Sequence, residues 1–179
     1  VLKKNTIKNP LILISSKRLI NLQMQKLGFK NKIRILNSSK LNSYKLNNKS
    51  INLINVEYNP DKAFERISNK SNVFIKKSFE LAFKIIKENN IKKFINGPIS
   101  KKYFLKNKFL GITEFISQKF LTKNTCMLIF NKKLSVCPIT THLPLKLVTK
   151  KINEKIISNK ISLINDFYEK NFKLKPQIA

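Results

Sequence analysis

Three short stretches of this chain carry residue types that could do chemistry. The first is Asn96-Gly97-Pro98-Ile99-Ser100-Lys101. A glycine at a strand end lets backbone approach a ligand, and a helix start with a nearby lysine suits an anion. The plainer alternative is an ordinary strand-to-helix turn. The second is Gly111-Ile112-Thr113-Glu114-Phe115, in which Thr113 is a plausible N-cap and Glu114 is favourable in a first helical turn. A threonine hydroxyl there can also bind a phosphate or carboxylate. The third is Thr140-Thr141-His142-Leu143-Pro144-Leu145, which holds the chain's one histidine. It follows an apolar run and precedes a proline-led helix, the kind of strand end at which ligands bind in α/β sheets. A neutral imidazole there could be a metal ligand or a general base, although a satisfied core histidine is the commoner case. One histidine cannot make a metal site, since three or four ligands are needed. No other His or Cys has suitable spacing, so co-ligands of His142 would lie elsewhere.

The elements that position these stretches alternate. Residues 11–15 (LILIS) read as a buried strand. Ser15 or Ser16 caps a helix that Gly28 stops. Residues 31–36 form a weaker strand, 37–50 a polar loop, and 51–58 (INLINVEY) another strand. The strongest helix runs from about Ser71 to Asn89, and KFING (93–97) follows as a short strand. Residues 100–107 and 113–121 read as short helices, 125–140 as a hairpin, and Pro144 as the first residue of a helix. A longer helix covers roughly 153–171, and Lys175–Ala179 begins a further strand. Residues 1–8 read as a helix end. Strands alternating with helices give an α/β class with a parallel or mixed sheet. No Gly-x-Gly-x-x-Gly fingerprint, P-loop or Gly-x-Ser-x-Gly elbow is present.

Composition bounds the function. The 179 residues favour one domain, and 42% hydrophobic residues suffice for a core. No apolar run approaches the ~20 residues of a membrane span and no signal peptide is visible, so the expected location is cytoplasmic. The net charge of +28 invites a nucleic-acid reading. Against it, Arg18, Arg34 and Arg66 are the only arginines, and the lysines are scattered along the chain. Base readers favour the guanidinium fork, and the Lys-, Asn- and Ile-rich usage fits an AT-rich genome. Cys126 and Cys137 lie on the two arms of the hairpin. If its turn centres near Lys132, Cys126 lies opposite Pro138 and Cys137 is one residue out of register, on the other face. That argues against a disulfide and for two buried thiols.

Taken in order, Gly97-Pro98-Ile99-Ser100-Lys101, Gly111-Ile112-Thr113-Glu114-Phe115 and Thr140-Thr141-His142-Leu143-Pro144-Leu145 resemble the 4-hydroxythreonine-4-phosphate dehydrogenases of vitamin B6 synthesis. The hairpin and the closing Lys175-Pro176-Gln177-Ile178 are similar to that family too. The resemblance implies a three-layer αβα fold like that of isocitrate and isopropylmalate dehydrogenases, truncated at both ends. Residues 1–179 would then be the N-terminal and central part of a subunit whose C-terminal half is absent. It implies a homodimer that uses NAD, with NADP open, and a divalent metal (Zn, Mg or Co) that polarises the substrate hydroxyl. The implied reaction oxidises and decarboxylates 4-phosphohydroxy-L-threonine to 3-amino-2-oxopropyl phosphate. Carried over by position, His142 matches a metal ligand and Thr113 a substrate-binding threonine. Gly97, Pro98 and Lys101 match a motif lining the cleft. Ile112 departs from the family, which has a substrate-contacting histidine there. The family's other metal histidines lie downstream, beyond this chain. The rival expectations are a dehydrogenase for another phosphorylated hydroxy acid, a degenerate pseudoenzyme, and a non-catalytic basic protein that binds nucleic acid.

Overall fold

In the computed structural model the described residues are 9–105, 108–122, 124–131 and 133–179. The expected helix end at 1–8 therefore lies outside them. The chain divides into two compact units, residues 1–104 and 105–179.

The first unit is built on a parallel three-stranded sheet of β1 (Ile12–Ser15), β2 (Ile33–Ile35) and β3 (Ile51–Asn55), in the order β1-β3-β2. β3 is central, pairing Leu13 with Leu53 on one side and Ile35 with Leu53 on the other. A central strand covered on both faces is mostly apolar, and here Asn52 is its one buried polar residue. Its residues alternate between two clusters. Ile51 and Leu53 pack with Met24, Ile20, Phe29 and Ile33 on the side of α1 (Lys17–Leu27). Ile54 packs with Leu36, Leu41 and Ile85 on the side of α2 (Asn69–Glu88). This gives helix, sheet and helix in three layers.

Local signals set the helix ends. The Ser16 hydroxyl accepts from Leu19 N at 3.3 Å, and Gly28 closes α1 in the left-handed region at φ 71°. At the start of α2, Ser68 and Ser71 cap each other reciprocally: the Ser68 hydroxyl accepts from Ser71 N, and the Ser71 hydroxyl from Ser68 N. The loop after β3 is tied to α1, with the Ser16 hydroxyl donating to Tyr58 O at 2.6 Å and Arg18 Nε to Pro60 O at 2.9 Å. Inside that loop the Glu65 carboxylate accepts from Asp61 N, Lys62 N and the Tyr58 hydroxyl. The backbone amides hold it below the usual carboxylate range.

Several expected elements differ. Residues 37–50 are not wholly loop, because Ser38–Ser43 winds into tight helical turns begun by Asn37. Residues 93–97 form no strand. Phe94 is held by edge contacts to the rings of Phe79 and Phe83 at 5.9 and 6.0 Å, while Ile95 is 80% exposed. Aromatic packing replaces a ladder there, and Pro98 has no amide with which to extend one. The expected helix at 100–107 is a single wide turn, Lys101–Leu105, with 106–107 outside the described residues. Residues 174–179 make no strand.

The second unit holds α3 (Ile112–Lys119), α4 (Leu145–Lys151) and α5 (Glu154–Phe172). Pro144 precedes α4 with extended backbone, φ −56° and ψ 139°, rather than occupying its first turn. Asn153 caps α5 by accepting from Ile156 N at 3.0 Å. The hairpin narrows to one antiparallel bridge, in which Ile129 N donates to Val136 O at 2.8 Å and Val136 N to Ile129 O at 3.0 Å. α5 closes over it. Phe130 stacks on Phe172 at 5.2 Å, the Tyr168 hydroxyl bonds the Ser135 hydroxyl at 3.0 Å, and Lys160 Nζ donates to Thr125 O at 3.0 Å.

Candidate functional site

In the first unit, Gly97, Pro98 and Lys101 are all exposed. A side chain at Gly97 would meet nothing within 4 Å, so no steric demand explains the glycine. Asn96 Nδ2 donates to Gly97 O at 3.1 Å and fixes the bend. The following turn is anchored to α2, with Asn72 Nδ2 donating to Tyr103 O at 3.4 Å and Phe104 stacking on Phe79 at 5.3 Å. Lys101 makes no ion pair among the described residues, so its ammonium faces solvent.

In the second unit two of the three stretches converge. Gly111, not Thr113, is the N-cap of α3, and it offers no side-chain cap. Thr113 is therefore the second residue of the helix, a correction to its expected capping role. The cause is the extended backbone of Gly111 (φ −160°, ψ 179°), which starts the helix two residues earlier. Ile112 and Thr113 are half-buried, and no described residue bonds the Thr113 hydroxyl. Glu114, third in the helix, folds back over the buried Gly111. A Cβ on Gly111 would stand 2.8 Å from Glu114 Oε2 and 3.7 Å from His142 Nε2. The carboxylate and the imidazole thus both lie close to one bare Cα. A carboxylate in the first helical turn is also favoured by the helix dipole.

His142 is exposed and lies in the left-handed region at φ 54°. A non-glycine residue there is uncommon and carries strain. The sequence singled out His142 but did not reveal its neighbour. The position of Glu114, three residues past the cap, is the one signal that it would fold back. Its approach to His142 depends on tertiary placement, which spacing does not encode.

These residues do not amount to a metal centre. Among the described residues, no three His, Cys, Asp or Glu side chains cluster to hold an ion. Glu114 and His142 supply two donors at most, short of the three protein ligands that a catalytic site needs.

The model of a family described as pyridoxal phosphate biosynthetic protein PdxA matches residues 6–179. The chain is 36% identical over 103 residues to a 4-hydroxythreonine-4-phosphate dehydrogenase of Sulfurihydrogenibium sp. (strain YO3AOP1), covering 56% of this chain and 32% of that protein. The likeness to the enzyme of the same name from Aquifex aeolicus (strain VF5) is 35% over 91 residues, or 50% of this chain and 28% of that one. Among solved structures, the 4-hydroxythreonine-4-phosphate dehydrogenase of Klebsiella pneumoniae superposes with a TM-score of 0.73 at 17% identity, covering 94% of this chain and 53% of that one. The Burkholderia phymatum enzyme gives 0.73 at 18%, covering 90% and 50%. These structures show the α/β fold over nearly the whole chain. The chain spans about half the length of the solved proteins it matches and about a third of the curated relatives.

Proposed function

The chain belongs to the pyridoxal phosphate biosynthetic protein PdxA family, and from that premise we propose that it is part of an NAD-dependent 4-hydroxythreonine-4-phosphate dehydrogenase. The substrate would be 4-phosphohydroxy-L-threonine. Its oxidation and decarboxylation would give 3-amino-2-oxopropyl phosphate, on the way to pyridoxine 5′-phosphate. The observation that carries the reading is the convergence of the Thr113 helix start with His142 over Gly111. It joins two of the three stretches on which the family resemblance rests.

The chain's own residues would bind and orient. The Thr113 hydroxyl, in the first turn of α3, has no partner among the described residues and can donate to a substrate oxygen. The amides at that helix start carry no side-chain cap and favour an anion. The +28 balance raises the local concentration of phosphorylated compounds. NAD, when bound, accepts the hydride from the hydroxyl-bearing carbon. His142 would be one ligand of a divalent metal, but the described residues bring no complete ligand set. By itself it is expected to bind substrate without turning it over. Homodimer formation, a cytoplasmic location and the cleft role of Gly97, Pro98 and Lys101 belong to the same proposal. No described helix is long and apolar enough to cross a membrane.

Ile112 supports a second reading. Isoleucine cannot hydrogen-bond a substrate, so the natural ligand could be another phosphorylated hydroxy acid with an apolar group at that point. Calorimetric titration of 4-phosphohydroxy-L-threonine separates the two readings. One neutral hydrogen bond contributes about 1 kcal/mol. On the first reading, Thr113→Ala therefore weakens binding by roughly 5-fold, and Ile112→His tightens it by a similar factor. Binding that is indifferent to both substitutions sinks the site assignment. Tighter binding of an apolar-substituted phosphorylated hydroxy acid to the unmodified chain selects the second reading.

A further inference from the structure

The two cysteines are not where the expected turn would put them. The reciprocal bonds between Ile129 and Val136 fix the register of the hairpin. Counting outward from that pair, Leu128 lies opposite Cys137 and Cys126 opposite Ile139. Cys126 is therefore two residues from the partner of Cys137, on the same face, rather than one residue away on the opposite face. Diagonal neighbours of this kind can touch when the strands twist together. Here the Cys137 sulfur is near enough to Cys126 to act on its thiol. Both are half-buried and unlinked. Among the described residues no inter-strand backbone bond other than the Ile129–Val136 pair ties the arms, so the segment carrying Cys126 can adjust. Among the described residues no third ligand-type side chain joins them, so they are treated as a dithiol.

The geometry points to Cys126 and Cys137 as a modification site at which a low-molecular-weight disulfide is exchanged for an intrachain one, closing the loop 126–137. The balance is complete. A thiolate of the pair attacks one sulfur of the small disulfide, R–S–S–R, and releases R–S⁻. The second thiolate attacks the resulting mixed disulfide at the protein sulfur and releases another R–S⁻. Two S–H bonds are lost and one S–S bond forms. Two electrons reduce R–S–S–R to two R–SH, which take up both protons.

The surroundings set the rate. Burial first and then the neighbouring Cys137 sulfur raise the Cys126 thiol above its ordinary pKa, with Lys160 opposing. A protonated thiol is a poor nucleophile, so exchange is slow near neutrality and accelerates as pH rises. This behaviour distinguishes the pair from an exposed redox sensor.

The test uses the 179-residue chain in glutathione buffers of graded redox ratio, with acid quench, alkylation and intact-mass and peptide mapping. The expected product has lost two hydrogens and links the peptides of Cys126 and Cys137. Its effective concentration should be at least ~10-fold higher for the folded chain than for the same chain in urea, where only the short loop favours closure. Cys126→Ser and Cys137→Ser should each stop at the mixed disulfide with glutathione. An equal effective concentration with and without urea overturns the proposal, because the fold would then not bring the thiols together. Two stable mixed disulfides, or a cross-link between two chains, also overturn it.

Discussion

The two units divide the labour unequally. Among the described residues, all the buried apolar side chains but Leu105 belong to the first unit. There Leu53 is 0% exposed at the centre of a sheet covered on both faces. Residues 105–179 carry Thr113, Glu114 and His142, yet none of their three helices buries a residue completely, and Leu145 is 86% exposed. The first unit is a framework whose stability comes from apolar burial. The second presents the candidate chemistry on elements held by rings, caps and single hydrogen bonds. Functional elements drawn from the less stable part of a fold are a general pattern, because binding requires surfaces that are not already satisfied.

The contrast is broken most directly by truncating one side chain in each unit. Leu53→Ala should cost ~2–5 kcal/mol, the range for a fully buried leucine that leaves a cavity. Ile157→Ala, at a residue 37% exposed on α5, should cost less than ~1 kcal/mol, since little area is lost from contact. Urea unfolding of both variants measures the difference. Comparable losses would mean that the second unit has a core as demanding as the first. An effect smaller than that of Leu53→Ala is expected at Asn52, which is 2% exposed and whose Nδ2 donates to Leu11 O at 3.0 Å and Asn47 O at 2.7 Å. Asn52→Ala leaves both carbonyls without that donor, at a cost of about 1–3 kcal/mol. Its own Oδ1 is buried without a partner, so part of the gain from those two bonds is already offset. An unchanged unfolding midpoint would show that water takes over both carbonyls.

The first unit was also the more legible in the sequence. LILIS is a largely apolar run of the kind a doubly covered strand needs, and Ser16 and Gly28 mark the ends of α1 by local chemistry. The second unit hides what depends on register. A turn centred on Lys132 puts the cysteines on opposite faces, and moving that centre by half a residue shifts the register by one and inverts every side chain of an arm. Only the Ile129–Val136 bridge corrects that. Likewise His142 could be singled out as a residue type, but its placement with Glu114 beside Gly111 comes from tertiary structure. KFING misled because its apolar residues have rings to pack against and no strand to pair with.

The smallest effect sharpens the comparison where the second unit is tightest. Because the folded Cys126 thiol has a raised pKa, the folded chain holds its proton at a pH where the unfolded chain has lost it. The contribution is therefore fully present below the ordinary thiol pKa of ~8.5. It is lost as pH rises through the higher folded value. The measurement is the urea midpoint of the unmodified chain minus that of Cys126→Ser, followed from neutral pH into the alkaline range. Lysine deprotonation also changes repulsion in this strongly basic chain, but both proteins share it and the difference removes it. The difference should be flat near neutrality and shift against the unmodified chain above the ordinary thiol range. A difference that stays flat throughout would mean that Cys126 feels neither burial nor its neighbour. The hairpin would then be as loosely held as the rest of its unit.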